Sequence, residues 1–133
     1  MASFKGEKYT KSDKNHQINA TEHYKLTRIK GEHKSGLGKK ALHYGKNSGY
    51  QAINLAYLLG ATKVILLGYD MGVSKKTHWF GDHPDSLQKP SPFSDFISEF
   101  NKMNPKKYGL EIINCTRRTA LTCFPQMPLE QLF

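Results

Sequence analysis

The stretch that most restricts the fold is NSGYQAINLAYLLGATKVILLGYDMG, residues 47–72. Gly49, Ala52, Ile53, Ala56 and Tyr57 recur at helical spacing, mixing small and large side chains as close packing on a sheet requires. Ser48 and Gln51 form a Ser-x-x-Gln capping box before them, and Gly60 supplies the stop. The spacing therefore predicts a helix over residues 49–59. Residues 63–67 are short and almost continuously apolar, as expected of a strand covered on both faces. Helix then strand across a short link is the signature of an α/β layer.

The flanking chain extends the same pattern. A short strand is expected at residues 41–44. A second helix is expected over 94–103, with Phe96, Ile97, Phe100 and Met103 on one face and Pro105 just past its end. Residues 110–114 read as the next strand, followed by the polar turn Cys115-Thr-Arg-Arg-Thr119. The tail predicts one more extended piece and a helical turn starting at Pro128. Residues 41–133 thus read as an α/β domain, a small parallel sheet with flanking helices. Residues 1–40 hold no sustained apolar period and read as a basic, weakly structured arm.

Size and composition exclude several classes. A chain of 133 residues supports one core but not two. No apolar run approaches the ~20 residues of a membrane span. The first residues hold no apolar segment for a secretory signal. The two cysteines, Cys115 and Cys123, suit reduced thiols in a cytoplasm better than a disulfide framework. Charge is uneven: residues 1–46 carry net +7 of the chain's +9. Such an arm suits a polyanion or a phosphorylated small ligand, or simply a solvated leader.

Polar groups cluster at three places. Lys46, Asn47, Ser48 and Gly49 stand at a helix start, where unpaired N–H groups and the positive end of the dipole favour an anion; capping alone is the competing reading. Asp70 leaves the carboxyl end of a strand, where open parallel sheets hold ligands, and can accept from a sugar hydroxyl, act as a base, or shape a turn. Arg117 and Arg118 fall on the same edge if the two strands are parallel, and paired guanidiniums suit phosphate or carboxylate. Between them, THWFGDHPD offers His78 or His83 as a general base and Trp79 as a stacking surface, with core packing the alternative for Trp79. The histidines lack a zinc spacing and neither cysteine has a C-x-x-C partner, so no metal and no cofactor are expected.

These segments carry a resemblance. NSGYQAINLAYLLGATKVILLGYDM, THWFGDHP and LEIINCTRRTALTCFPQMPLEQL resemble a phage-encoded Rossmann-like family of unknown function, over roughly residues 43–133. More distantly they are similar to bacterial sialyltransferases and to the pterin pyrophosphokinase and motility accessory factor family. The shared order is a Ser-Gly helix start, a strand ending Gly-x-Asp, a His-bearing loop, a helix, and a late strand ending at Asn-Cys. The resemblance implies that Ser48 contacts a donor nucleotide's acidic groups and that the His78/His83 loop supplies a catalytic base. Longer relatives place a Gly-rich strand–loop–helix unit before the segment that here is FKGEKYT, and the Asn-bearing nucleotide loops of sialyltransferases lack a counterpart. The chain therefore reads as the C-terminal half of that fold, expected to self-associate or to pair with a separately encoded first half.

Three functions follow as expectations. The first is a nucleotide or nucleotide-sugar binding protein of glycosyltransferase-like ancestry, with or without turnover. The second is an oligomer that sequesters a host signalling nucleotide in a phage-infected cytoplasm. The third is non-specific nucleic-acid binding through residues 1–46, with steep salt dependence.

Overall fold

The computed structural model describes residues 29–73 and 92–133, together with the strand backbone of 8–10 and 26–28. The architecture is mixed α/β, and its strands pair in parallel. Strands β1 (Lys8–Thr10) and β2 (Leu26–Arg28) pair with each other, as do β3 (Gly31–Glu32) and β4 (Leu42–His43). Helix α1 (Ser48–Leu58) leads to β5 (Lys63–Leu66); helix α2 (Phe93–Asn101) then leads through a 3-10 turn, Pro105–Tyr108, to β6 (Glu111–Asn114). β5 and β6 run parallel in the register Lys63↔Glu111 to Leu66↔Asn114. Gln126 bridges Asn114 in parallel, and a last 3-10 turn, Leu129–Gln131, follows Pro128 as the sequence predicts.

Helix α1 starts one residue earlier than expected, and the cap is Asn47 rather than Ser48. Gly45 and Lys46 both take positive φ, +49° and +62°, which turns the chain so that Asn47 arrives extended. Its side chain accepts from the Tyr50 N–H at 2.8 Å and donates to the Gly45 carbonyl at 3.0 Å. An Asx side chain reaches those groups without the Ser48 hydroxyl. Gln51 completes no capping box, because its Nε2 donates to the Tyr44 carbonyl at 3.1 Å.

The core lies between one face of β5–β6 and the two helices. Tyr50, Ile53, Leu66, Phe100, Leu110 and Ile112 are buried there, joined by Leu37, Met103, Leu121 and Phe124. Each large apolar side chain so buried contributes roughly 1.5–3 kcal/mol. Met103 belongs to this core although α2 ends two residues before it. The expectation that β5 is covered on both faces is not met: Leu66 is buried, while Ile65 is 37% and Leu67 57% exposed. Alternation places Val64 and Leu66 inward and leaves Ile65 on the opposite, more exposed face.

Residues ahead of 41 also join the packing. Asn54, buried on α1, accepts from the Gly38 N–H at 3.0 Å and the His43 N–H at 2.8 Å, and donates to the Gly38 carbonyl at 3.0 Å. Leu37 beside it is in the core. No helix of the described residues is long and apolar enough to cross a membrane.

Candidate functional site

Because β5 and β6 are parallel, the loops that leave them start on the same edge. Gly68-Tyr-Asp70-Met-Gly72 leaves β5; Cys115-Thr-Arg-Arg-Thr119 leaves β6. Hydrogen bonds fasten the two together. The Thr116 hydroxyl accepts from the Tyr69 N–H at 2.9 Å, and the Thr119 hydroxyl donates to the Tyr69 carbonyl. The Ala120 N–H donates to the Asp70 carbonyl at 2.9 Å. Asn114, buried at the end of β6, braces the second loop from inside: its Oδ1 accepts from the Thr116 N–H at 3.1 Å and its Nδ2 donates to the Leu121 carbonyl at 3.1 Å. A side chain satisfied on both ends holds the backbone around it in one conformation.

Beyond this rim opens a cleft of about 1060 Å³. It is lined by Asp70, Thr116, Arg117 and Arg118 from the strand-end loops and by the C-terminal segment from Gln126 to Glu130, with Leu67 and Val73 adding apolar wall. That volume stands at the upper limit of small-molecule sites, which combine apolar walls with a few placed polar groups. Arg117 is 92% exposed and stands 3.8 Å from Glu130, itself 73% exposed. Arg118 is exposed and makes no ion pair with any described residue. The Asp70 Oδ1 accepts from the Gly72 N–H at 3.2 Å, a local turn within the loop that lines the cleft.

Lys46, Asn47, Ser48 and Gly49 do not line this cleft. They lie on the other side of Tyr69, whose hydroxyl donates to the Gly49 carbonyl at 3.0 Å and whose ring covers the glycine so closely that a Cβ there would meet it. Burial pushes the Tyr69 pKa up, so the phenol stays a hydrogen-bond donor. Lys46 faces Asp95 in the first turn of α2 at 3.6 Å, an exposed pair of little energetic weight. Tyr69 therefore joins the α1 start to the strand-end rim, while the polar groups themselves face different surroundings. His78, Trp79 and His83 lie outside the described residues.

Cys115 lines the cleft and is buried; Cys123 is exposed as a residue, but partial desolvation of its sulfur pushes the thiol up to about 11. Among the described residues no group of three or more His, Cys, Asp or Glu side chains is placed to hold a metal ion.

Thr116, Thr119, Asn114 and Glu130 were not singled out from the sequence. The signal for the first three was present in N-C-T-R-R-T, since Asn and Thr around a tight turn bond to nearby backbone. Glu130 had no local signal, because its position opposite Arg117 depends on the tail folding back beside β6. No protein-family model, no curated protein and no solved structure matches the chain.

Proposed function

We propose that this protein binds an anionic, hydroxyl-bearing small molecule, a nucleotide or nucleotide sugar, in the cleft at the carboxyl ends of β5 and β6. The supporting observation is the pair of strand-end loops, fastened through Thr116 and Thr119, that brings Asp70, Arg117 and Arg118 to one cleft. On this reading Arg118 and Arg117 take phosphate or carboxylate oxygens, and Asp70 accepts from a sugar hydroxyl. The apolar wall formed by Leu67, Val73 and Met127 receives the base. The β5–α2–β6 arrangement, two parallel strands joined through a helix, agrees with a Rossmann-like ancestry.

Titration calorimetry with UDP, UDP-glucose, CMP and CMP-sialic acid tests this. Binding of at least one, weakened about 10–100-fold by Arg118→Ala, is expected from the loss of a charge-assisted contact of roughly 1.5–3 kcal/mol. Absence of binding by all four at millimolar concentration would sink the proposal. Turnover of the transferase kind requires His78 or His83 as base, so new product that disappears in the double alanine variant identifies an enzyme. Ligand recovered unchanged after denaturation identifies a sequestering protein.

Self-association is a second part of the reading, favoured by Ile65 and Leu67. Ile65 is exposed on the face of β5 turned away from the core, and Leu67, just past the strand, is exposed at the cleft wall; the strand edge beside them pairs with no described residue. Analytical ultracentrifugation returning a monomer at all concentrations would remove it.

A further inference from the structure

Lys30, Lys34, Lys46, Lys63 and Lys102 each face a carboxylate. Lys39, Lys40, Lys106 and Lys107 face none among the described residues, and all four are exposed. They come from two segments that meet at Tyr108. The Lys39 ammonium lies 5.6 Å from the centre of the Tyr108 ring, and Gly36 packs near the Tyr108 hydroxyl. Lys106 and Lys107 belong to the 3-10 turn that ends at Tyr108. Both segments are anchored. The first is clamped at Gly38 by the buried Asn54 amide, and the second is fixed by the Tyr108 ring set edge-on against Tyr57 at 5.9 Å. The patch lies at the amino end of β6, one four-residue strand or roughly 13 Å from the cleft.

We infer that these four lysines form a docking surface for the phosphate backbone of duplex nucleic acid, separate from the cleft and indifferent to base sequence. Phosphates recur at fixed short spacing, one charge per ~1.7 Å of duplex axis, so two anchored lysine pairs engage several of them together. Lysine ammonium groups contact phosphate as point charges and carry little base information. Tyr108, the aromatic residue at the patch, is occupied by Lys39 and Tyr57 and offers no platform for stacking a base. An anionic lipid surface is the poorer match, since among the described residues none of the exposed large apolar side chains, Leu59, Ile65, Leu67, Val73 and Phe133, belongs to either lysine segment. The surface draws on residues 39–40 of the basic N-terminal region but is completed by two lysines from beyond α2, which charge counting along the chain does not reveal.

Fluorescence anisotropy with a labelled duplex of arbitrary sequence, across roughly 50–200 mM salt, tests the inference through differences between variants. Lys106→Ala with Lys107→Ala should reduce the slope of log K against log salt by about 2, because each lost phosphate contact contributes about 0.9. Lys39→Ala with Lys40→Ala should do the same, and Arg118→Ala should leave the slope unchanged. Wild-type slopes retained in both lysine pairs, or binding to phosphatidylserine vesicles with none to duplex, would overturn it. Circular dichroism of the two exposed pairs confirms that the comparison is between folded proteins.

Discussion

The Asn54 side chain pairs with both backbone polar groups of Gly38, accepting from its N–H and donating to its carbonyl, each at 3.0 Å. This reciprocal pairing gives α1 a backbone-like partner in a segment that forms no strand there. It also fixes a glycine that has no room for a side chain, since a Cβ at Gly38 would meet the Ala41 carbonyl and the His43 ring.

Asn54→Leu keeps the branched shape, though not the volume, and leaves the Gly38 N–H, the Gly38 carbonyl and the His43 N–H without this partner. A loss of roughly 2–4 kcal/mol is expected, the penalty for buried backbone groups left unpaired. Urea denaturation should show the midpoint fall with little change in slope; an unchanged midpoint would mean that water or backbone replaces the amide.

Thr119→Val removes the hydroxyl that donates to the Tyr69 carbonyl and accepts from the Leu121 N–H at 2.9 Å. The fold should survive with a loss of about 1–2 kcal/mol. The diagnostic reading is local: amide exchange at Tyr69, Ala120 and Leu121 should accelerate more than exchange in α1. Uniform acceleration across the chain would argue against a specific fastening of the rim.

Gly45→Ala places a methyl group against the ring of the buried Tyr50 and forces a side chain onto a positive φ of 49°. Either effect alone costs about 1 kcal/mol and the clash adds more, so destabilisation above roughly 2 kcal/mol is expected. Thermal unfolding of the variant within a degree of wild type would contradict the turn geometry that precedes α1.

Stability should fall in acid through Glu99. The Ser35 hydroxyl, at 2.6 Å, and the Lys102 ammonium, at 3.0 Å, hold this carboxyl below the usual carboxylate range against the opposing effect of burial. A folded-state pKa below the unfolded value adds stability above the unfolded pKa, and that contribution is lost as pH falls through the lower, folded one. Glu99→Gln should therefore flatten the decline of stability below about pH 4.5, the unperturbed value. A decline equally steep in the variant would assign it to other carboxylates.

The sequence made α1, β5, α2 and β6 legible because each depends on local periodicity and punctuation: the small-large pattern of Gly49 to Tyr57, the stop at Gly60, the apolar run after Lys63. The parallel pairing also followed, and with it the placing of Asp70 and the two arginines on one edge. What escaped was long-range. The cap passed from Ser48 to Asn47 because a left-handed turn at Gly45 and Lys46 sets where the chain arrives, and capping-box spacing carries no information about that. Exposure of Ile65 and Leu67 escaped because an apolar run reads the same whether one or both faces are covered. Glu130 and the pairing of Lys39 with Tyr108 depend on contacts between distant segments, which no window of sequence contains.

The charges lining the cleft cancel. Arg117 and Arg118 are balanced by Asp70 and Glu130, on a chain whose net charge is +9. A molecule approaching that cleft meets alternating signs at short range rather than a uniform pull from afar. The lining itself adds no net pull at long range, so grip on a phosphate there must come from direct contact with Arg117 and Arg118. Discrimination there falls to shape and to the order in which donors and acceptors are presented.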